Sequence, residues 1–331
     1  MNWLSDEVIS RLQAASALPD LSGTRYRLVK RAGSGGMGVV YLAEDTILGR
    51  HVALKVLDLP DTSGELAVRL LREASILATL EHPGIVPVHD AGTLADGRAF
   101  YAMKFVEGTR LDHLDAQKET LFDRLRIFMR ICETVSFAHA RGVLHRDLTP
   151  GNIMIGSFGE VLVMDWGVAK ILRSPSKRAV DSLPNQTTTA GNDALPAAVS
   201  QTAYGTVLGT VGYMSPEQAR GEIDSLDLRS DIFSLGAILQ FLFTQLSSET
   251  QSPPLSAIAK KAMSPDRAHR YESCSALGQD IGQYLDGLPV SAYPETIFTK
   301  LSRWGSKYRV AIVLVLTYLL VRTLLLLGYR H

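Results

Sequence analysis

The chain has 331 residues, 34 Lys+Arg against 34 Asp+Glu, and two cysteines. The zero formal charge argues against a nucleic-acid coat or an acidic tail, so no nucleic-acid partner is expected. Hydrophobic residues at 46% can build a core, and Cys132 and Cys274, with no CxxC or Cys/His spacing, argue against a disulfide scaffold or a structural zinc site. At about 150 residues per domain, the length fits two domains or one large two-lobed one.

Residues 1–25 read as an N-terminal extension, with one short amphipathic stretch from Val8 to Leu12 and a break at Pro19. Tyr26–Ala32, Val39–Ala43 and His51–Leu57 are β-branched-rich runs separated by glycine or polar turns, which predicts three strands. Glu65–Leu80 reads as a helix with Leu66, Leu70, Leu77 and Leu80 on one face. Another strand is predicted at 99–106. From Leu121 the chain is mostly helical, with short strands near 153–155 and 161–164. Residues 171–205, rich in Ser, Thr, Pro, Ala and Asn, carry no sustained period and read as a long loop. The pattern is a small sheet-rich lobe followed by a larger helical one.

The C-terminus changes character. Val310 to Gly328 is apolar over 19 residues except for Arg322, and such a helix spans about 28 Å, enough for a bilayer core. Arg322 could snorkel toward the far interface. Lys300, Arg303, Lys307 and Arg309 precede the segment, which favours a cytoplasmic N-terminal side. Ile297, Leu301, Trp304 and Tyr308 form an apolar stripe, so 297–309 is expected to lie in the interface. A buried C-terminal helix is the other reading. MNWLSDEVIS lacks a basic start and a long apolar run, so no signal peptide is expected. With only Tyr329, Arg330 and His331 beyond the span, a tail-anchored protein without an external sensor domain is the expectation.

Four constellations carry chemistry. The first is Gly33-Ser34-Gly35-Gly36-Met37-Gly38-Val39-Val40, a GxGxxGxV pattern followed by a strand rather than a helix. That makes it a hairpin tip, either a merely tight one or one whose amides cover phosphates. The second is Lys55, at the end of the apolar strand Val52-Ala53-Leu54-Lys55. An ammonium there needs an anion, and Glu73, set in the leucine stripe of the helix, is the candidate. The alternative is a Glu73 at the edge of the face, reaching solvent. The third is His145-Arg146-Asp147-Leu148-Thr149-Pro150-Gly151-Asn152, which puts a carboxylate and an amide five positions apart on a loop. The carboxylate can accept a hydroxyl proton and the amide can ligate a metal. The fourth is Asp165-Trp166-Gly167 after the apolar run Val161–Met164, a placement suited to Mg²⁺ through carboxylate oxygens.

Together these motifs resemble the protein-kinase superfamily, specifically bacterial eukaryotic-like (Hanks-type) serine/threonine kinases. The resemblance covers about residues 26–285 and takes in HPGIV at 82–86, GTVGYMSPEQ at 209–218 and DIFSLG at 231–236. It implies an α+β, two-lobed kinase fold, with a β-rich N-lobe at about 26–105 and a helical C-lobe at about 106–285. A long activation loop would run over about 165–217; the hydropathy reading, outside the resemblance, adds a juxtamembrane segment over 286–309 and a C-terminal transmembrane helix over 310–328. The resemblance further implies ATP with Mg²⁺ or Mn²⁺ and protein substrates. In that reading Asp147 takes the hydroxyl proton, Lys55 holds the α/β-phosphates backed by Glu73, and Thr210 supports Asp147. Asn152 and Asp165 bind metal. Ala32 through Gly38 cover the phosphates, Val40 and Ala53 line the adenine slot, and Met103 is the gatekeeper before a hinge at 104–106. Glu217 pairs with Arg270, Asp231 opens the helix Ile232–Phe243 and holds the catalytic loop, and His145, Arg146 and Gly167 give structural support.

Three features depart from the family pattern. Thr149 stands where a lysine usually contacts the γ-phosphate. Trp166 replaces a phenylalanine. Only Thr244–Pro254 separates the Ile232–Phe243 helix from the next, at about 255–263, where the family has another small helix for substrate docking. A nucleotide-binding pseudokinase scaffold, a small-molecule kinase and a plain adaptor therefore stay as alternatives. Thr202 and Thr206 are the candidate phosphosites, with Arg146 as the cation that a phosphate would meet. The lipid bilayer is an expected partner, and a homodimer stays open, though no small-xxx-small motif supports it.

Overall fold

The computed structural model of the protein describes residues 18–35, 38–58, 64–115, 119–166, 170–171, 212–222, 226–244, 252–294, 313–315, 317–319 and 322. The N-lobe comprises β1 (Tyr26–Gly35), β2 (Gly38–Asp45), β3 (Arg50–Val56), α1 (Glu65–Thr79), β4 (Val88–Thr93) and β5 (Ala99–Lys104). Its five strands form one antiparallel sheet in the order β1-β2-β3-β5-β4.

Alternation along the strands decides what each face buries. Val52, Leu54 and Val56 of β3 join Val39, Tyr41 and Ala43 of β2 in one apolar cluster. Ala53 and Leu57 turn to the opposite side, into a larger core shared with α1 and the helical lobe. Lys55 has the parity of Ala53, so the pleat delivers it to that inner face. Close packing also explains Gly38: a Cβ there would overlap the Val56 carbonyl.

The C-lobe contains β6 (Gly108–Arg110), α2 (Leu121–Ala140), β7 (Val143–Leu144), β8 (Ile153–Gly156), β9 (Val161–Val163), β10 (Lys170–Ile171), α3 (Pro216–Ala219), α4 (Leu228–Thr244), α5 (Pro253–Ala262) and α6 (Cys274–Leu285). Thr120 starts α2 with a reciprocal cap: its side chain accepts from the Asp123 amide at 3.2 Å and Asp123 accepts from the Thr120 amide at 3.2 Å. α2 packs against both α4 and α6. α4 is apolar on nearly every side and lies in the lobe's centre. The lobes are stitched at Ile85, which bridges Val163, and the Val163 amide donates to the Gly84 carbonyl at 2.8 Å.

Several elements differ from the sequence expectation. β4 and β6 were not anticipated, and the strand expected over 99–106 ends at Lys104. Leu66 is 42% exposed rather than buried, because it lies in the first turn of α1, which stands clear of the core; Ile76 joins the buried face instead. α4 starts at Leu228, so Asp231 lies within its first turn rather than opening it. Among the described residues no helix is long and apolar enough to cross a membrane. Of the anticipated span 310–328, residues 313–315, 317–319 and 322 are helical, and the others lie outside the described residues. Residues 1–17, 172–211 and 295–312 also lie outside them.

Candidate active site

A cleft of about 1170 Å³ separates the lobes. The pleat of β3 brings Lys55 to its inner wall, and the buried stripe of α1 brings Glu73. Lys55 Nζ donates to Glu73 Oε1 at 2.8 Å and Oε2 at 2.9 Å, and to Asp165 Oδ1 at 3.0 Å. The Tyr101 hydroxyl donates to Glu73 Oε1 at 2.9 Å. Glu73 is 1% exposed, so the solvent-reaching alternative does not describe it. Burial works against the Lys55 charge, but the Glu73 and Asp165 carboxylates outweigh it and hold its pKa above the usual lysine value.

Opposite Lys55 lies the loop between β7 and β8. Asn152 Nδ2 donates to the Asp147 carbonyl at 2.8 Å and approaches Asp147 Oδ2 at 3.3 Å. Burial, reinforced by the charge of Asp165, raises the Asp147 carboxyl above the usual aspartate value, against the pull of His145 and Asn152. Arg146 adopts the left-handed region at φ 71°, as does Asp165 at φ 58°, a conformation that non-glycine residues keep only when neighbours enforce it. For Arg146 the enforcement is visible. Asp231 Oδ1 accepts from its amide at 2.8 Å, Asp231 Oδ2 accepts from the His145 amide at 2.9 Å, and Gln218 Nε2 donates to its carbonyl at 2.7 Å. Asp231 is fully buried. Burial opposes its ionisation, but His139, the nearby His145 ring and the Arg146 amide hold its carboxyl below the usual value.

His145 lies under the loop. Its Nε2 is 2.9 Å from the Met164 carbonyl and therefore carries the proton, which leaves Nδ1 to accept from the Asp147 amide at 3.3 Å. Trp166 packs on the His145 ring with centroids 4.5 Å apart and donates its indole N–H to the Val163 carbonyl at 3.2 Å. The larger aromatic is fully buried, so the tryptophan is accommodated.

The glycine loop is the tip of the β1–β2 hairpin, with Gly35 paired to Gly38. Ala32, Gly33, Ser34, Gly38, Val40, Ala53 and Met103 line the cleft. Thr149 does so too. Further out, Glu217 and Arg270 form a two-pronged ion pair at 2.7 and 2.9 Å, and the Ser230 hydroxyl donates to Glu217 at 3.0 Å. Burial alone would raise the Glu217 carboxyl, but the hydrogen bonds from Arg270 and Ser230 take it down to about 2. Gly36, Met37, Gly167, Thr202, Thr206 and Thr210 lie outside the described residues.

The donor set can be tested against a divalent cation. Asn152 spends its amide nitrogen on Asp147, which leaves Oδ1 as an acceptor, and Asp165 has one oxygen on Lys55 and a side chain 44% exposed to the cleft. These are hard oxygen ligands, as Mg²⁺ requires. Among the described residues no cluster of three His, Cys, Asp or Glu forms a cage. That fits a cation whose other ligands come from phosphates and water.

Sequence reasoning missed Tyr101, His139, Gln218 and Ser230. Each acts through a partner 13 to 92 positions away. Only His139, a basic residue in the last turn of α2, leaves a local sign.

The comparisons agree with this geometry. Residues 26–272 match the family model described as the protein kinase domain. The chain is 34% identical over 322 residues to the serine/threonine-protein kinase PknD of Protochlamydia amoebophila, covering 84% of this chain and 32% of that protein. It is 36% identical over 316 residues to the PknD of Chlamydia trachomatis, covering 83% of this chain and 33% of the relative. The chain thus spans about a third of the length of the curated relatives it matches. Among solved structures, the kinase domain of Mycobacterium tuberculosis PknI superposes with a TM-score of 0.54 at 25% identity, covering 81% of this chain and 99% of that one. With these matches laid over the Lys55–Glu73 pair and the Asp147–Asn152 loop, the chain belongs to the protein kinase domain family, in its bacterial Hanks-type serine/threonine branch.

Proposed function

We propose that the chain is a membrane-tethered kinase that transfers the γ-phosphate of ATP to serine and threonine hydroxyls of proteins, its own activation loop included. The observation that carries this reading is the convergence of Lys55, Glu73, Asp147, Asn152 and Asp165 on one cleft.

Each residue then has a task. Asp147, its pKa raised yet its loop fixed from below, orients the acceptor hydroxyl and takes its proton at the carboxylate. Lys55, held by Glu73, neutralises the α/β-phosphates. Thr210 supports the Asp147 end of the site. Val40, Ala53 and Met103 receive the adenine, and Ala32 to Gly38 cover the phosphates. Asn152 and Asp165 would hold Mg²⁺, which when bound would screen phosphate charge. His145, Arg146, Gly167, Asp231 and the Glu217–Arg270 pair keep these groups in register. Catalysis is positioning and charge stabilisation. Thr149 removes one cation from that set, so turnover is slow. Thr202 and Thr206 are the proposed autophosphorylation sites, whose phosphates would meet Arg146.

The membrane tether rests on sequence hydropathy over 310–328. It is supported by the helical turns that are described there, where Thr317 Oγ1 donates to the Val313 carbonyl at 2.8 Å and Val313, Leu314, Val315 and Tyr318 are all more than half exposed. Apolar helix surface of that kind needs a covering, and lipid supplies one.

The test is phosphate transfer from labelled ATP with Mg²⁺ or Mn²⁺ by the full chain in detergent, beside Lys55→Met and Asp147→Asn. Incorporation that both variants abolish supports the kinase. ATP binding without transfer would favour a scaffold and overturn it.

A further inference from the structure

Among the described residues, the charged or histidine side chains lining the cleft beyond Lys55, Asp147 and Asp165 are Lys30, Arg31, Lys104, Arg110 and His113. Lys104 leans toward Glu160 at 3.8 Å, and Lys30 and Arg31 flank the glycine loop. Arg110 stands on the acceptor side. It ends β6, and its guanidinium occupies the space over Gly151, where any Cβ on the catalytic loop would collide with it. Gly151 is one residue from Asn152 and two from Thr149. The arginine therefore overhangs the loop that carries Asp147.

The guanidinium is oriented. Arg110 Nη2 donates to Asp112 Oδ2 at 3.0 Å, and among the described residues Asp112 is its one hydrogen-bonding partner. The other carboxylate oxygen of Asp112 is buried. Asp112 also lies close enough to Tyr213 to act on its hydroxyl through space. Tyr213 belongs to the segment just before α3. Arg110 and Asp112 thus fill the corner between the catalytic loop and that segment. With Asp112 turned inward, the face shown to solvent is the half-exposed guanidinium, which has donors left for a second carboxylate.

We propose that Arg110, held by Asp112 over Gly151, is a substrate-specificity residue that selects protein segments carrying a carboxylate beside the acceptor serine or threonine. This rests on the kinase reading and names its substrate class. The charge pattern favours it: a basic peptide would meet Arg110 and His113 on the acceptor side and Lys30 and Arg31 across the cleft.

The experiment compares peptides with one acceptor threonine flanked by aspartates, alanines or arginines, using the full chain, Arg110→Ala and Arg110→Glu. The readout is the ratio of kcat/KM values between peptides, which cancels any general loss, together with KM for ATP. The expected result is an acidic-over-neutral preference of about fivefold in the native chain at low salt, shrinking as salt rises. Arg110→Ala should erase it and Arg110→Glu should shift it toward the arginine peptide. Equal rates on all three peptides, or a preference for arginine in the native chain, overturns the proposal while the kinase reading stands. A ratio unmoved by either variant, with KM for ATP raised, also overturns it and assigns Arg110 to the nucleotide. Failure of the kinase reading looks different: no label enters any peptide or the chain itself.

Discussion

His139 Nε2 lies 2.7 Å from Asp231 Oδ2, so α2, which leads into the catalytic loop, and α4, far along the chain, meet at one carboxylate. That carboxylate is also the acceptor for two successive loop amides. Asp231→Asn keeps the shape and removes the charge, presenting an N–H₂ to groups that are donors. We expect a loss of about 1–3 kcal/mol in denaturant unfolding and a kcat reduced about tenfold or more as Arg146 leaves its left-handed conformation. An Asp231→Asn chain with native kcat would show that the loop is held by something else.

Lys55 and Glu73 should behave as one unit. Lys55→Met leaves a carboxylate buried without its cation, which costs about 3–5 kcal/mol. Removing both charges in Lys55→Met/Glu73→Gln should recover part of that loss, even though activity stays absent. Urea melts of the two single variants and the double variant give the coupling directly. Additive losses would mean that the pair is not energetically joined.

Acid should loosen the outer ion pair. The Glu217 carboxyl is held at about 2, below its ordinary 4.5, so its contribution is complete above the ordinary value. It fades as pH falls from 4.5, where the unfolded chain takes up the proton, through about 2, below which the folded chain is protonated as well. Glu217→Gln should therefore destabilise the protein at neutral pH, and the gap from the native chain should narrow toward pH 2. Melting temperatures across that range check it; a constant gap would assign the loss to packing instead.

Thr149 lines the cleft near Asp147, and Thr149→Lys adds a cation on the phosphate side. If charge at this position limits turnover, kcat rises about tenfold or more, within the range that one electrostatic donor supplies. Single-turnover kinetics separate this from faster product release. An unchanged chemical step would show that the threonine carries no penalty.

What the sequence made legible follows from periodicity. β3 could be read because Val52, Leu54 and Val56 alternate with Ala53 and Lys55, and the same parity places the lysine in the cleft. Glu73 could be read because a carboxylate interrupts a leucine stripe. β4 could not: Val88-His89-Asp90-Ala91-Gly92-Thr93 has no alternation, and between Val88 and Thr93 it holds only poor β-formers, so its extended state comes from pairing with β5. Leu66 misled for the opposite reason, since its spacing fits the stripe while its place in the first turn puts it outside the contact. Gln218 and Arg110 were invisible because the Arg146 carbonyl that one meets and the Gly151 that the other overhangs are brought near only by the tertiary fold.

Gln218 splits its amide between two structures. Its Oε1 accepts from the Ser215 hydroxyl at 2.9 Å and the Ser215 amide at 3.2 Å, closing the cap of α3, while its nitrogen donates to the Arg146 carbonyl. A half-turn of that one torsion would break both ends at once. The amide is therefore an AND gate: the cap and the catalytic loop can be satisfied together or not at all. Glutamate at this position would keep the cap and turn an oxygen toward the Arg146 carbonyl, uncoupling the two by exchanging a single atom.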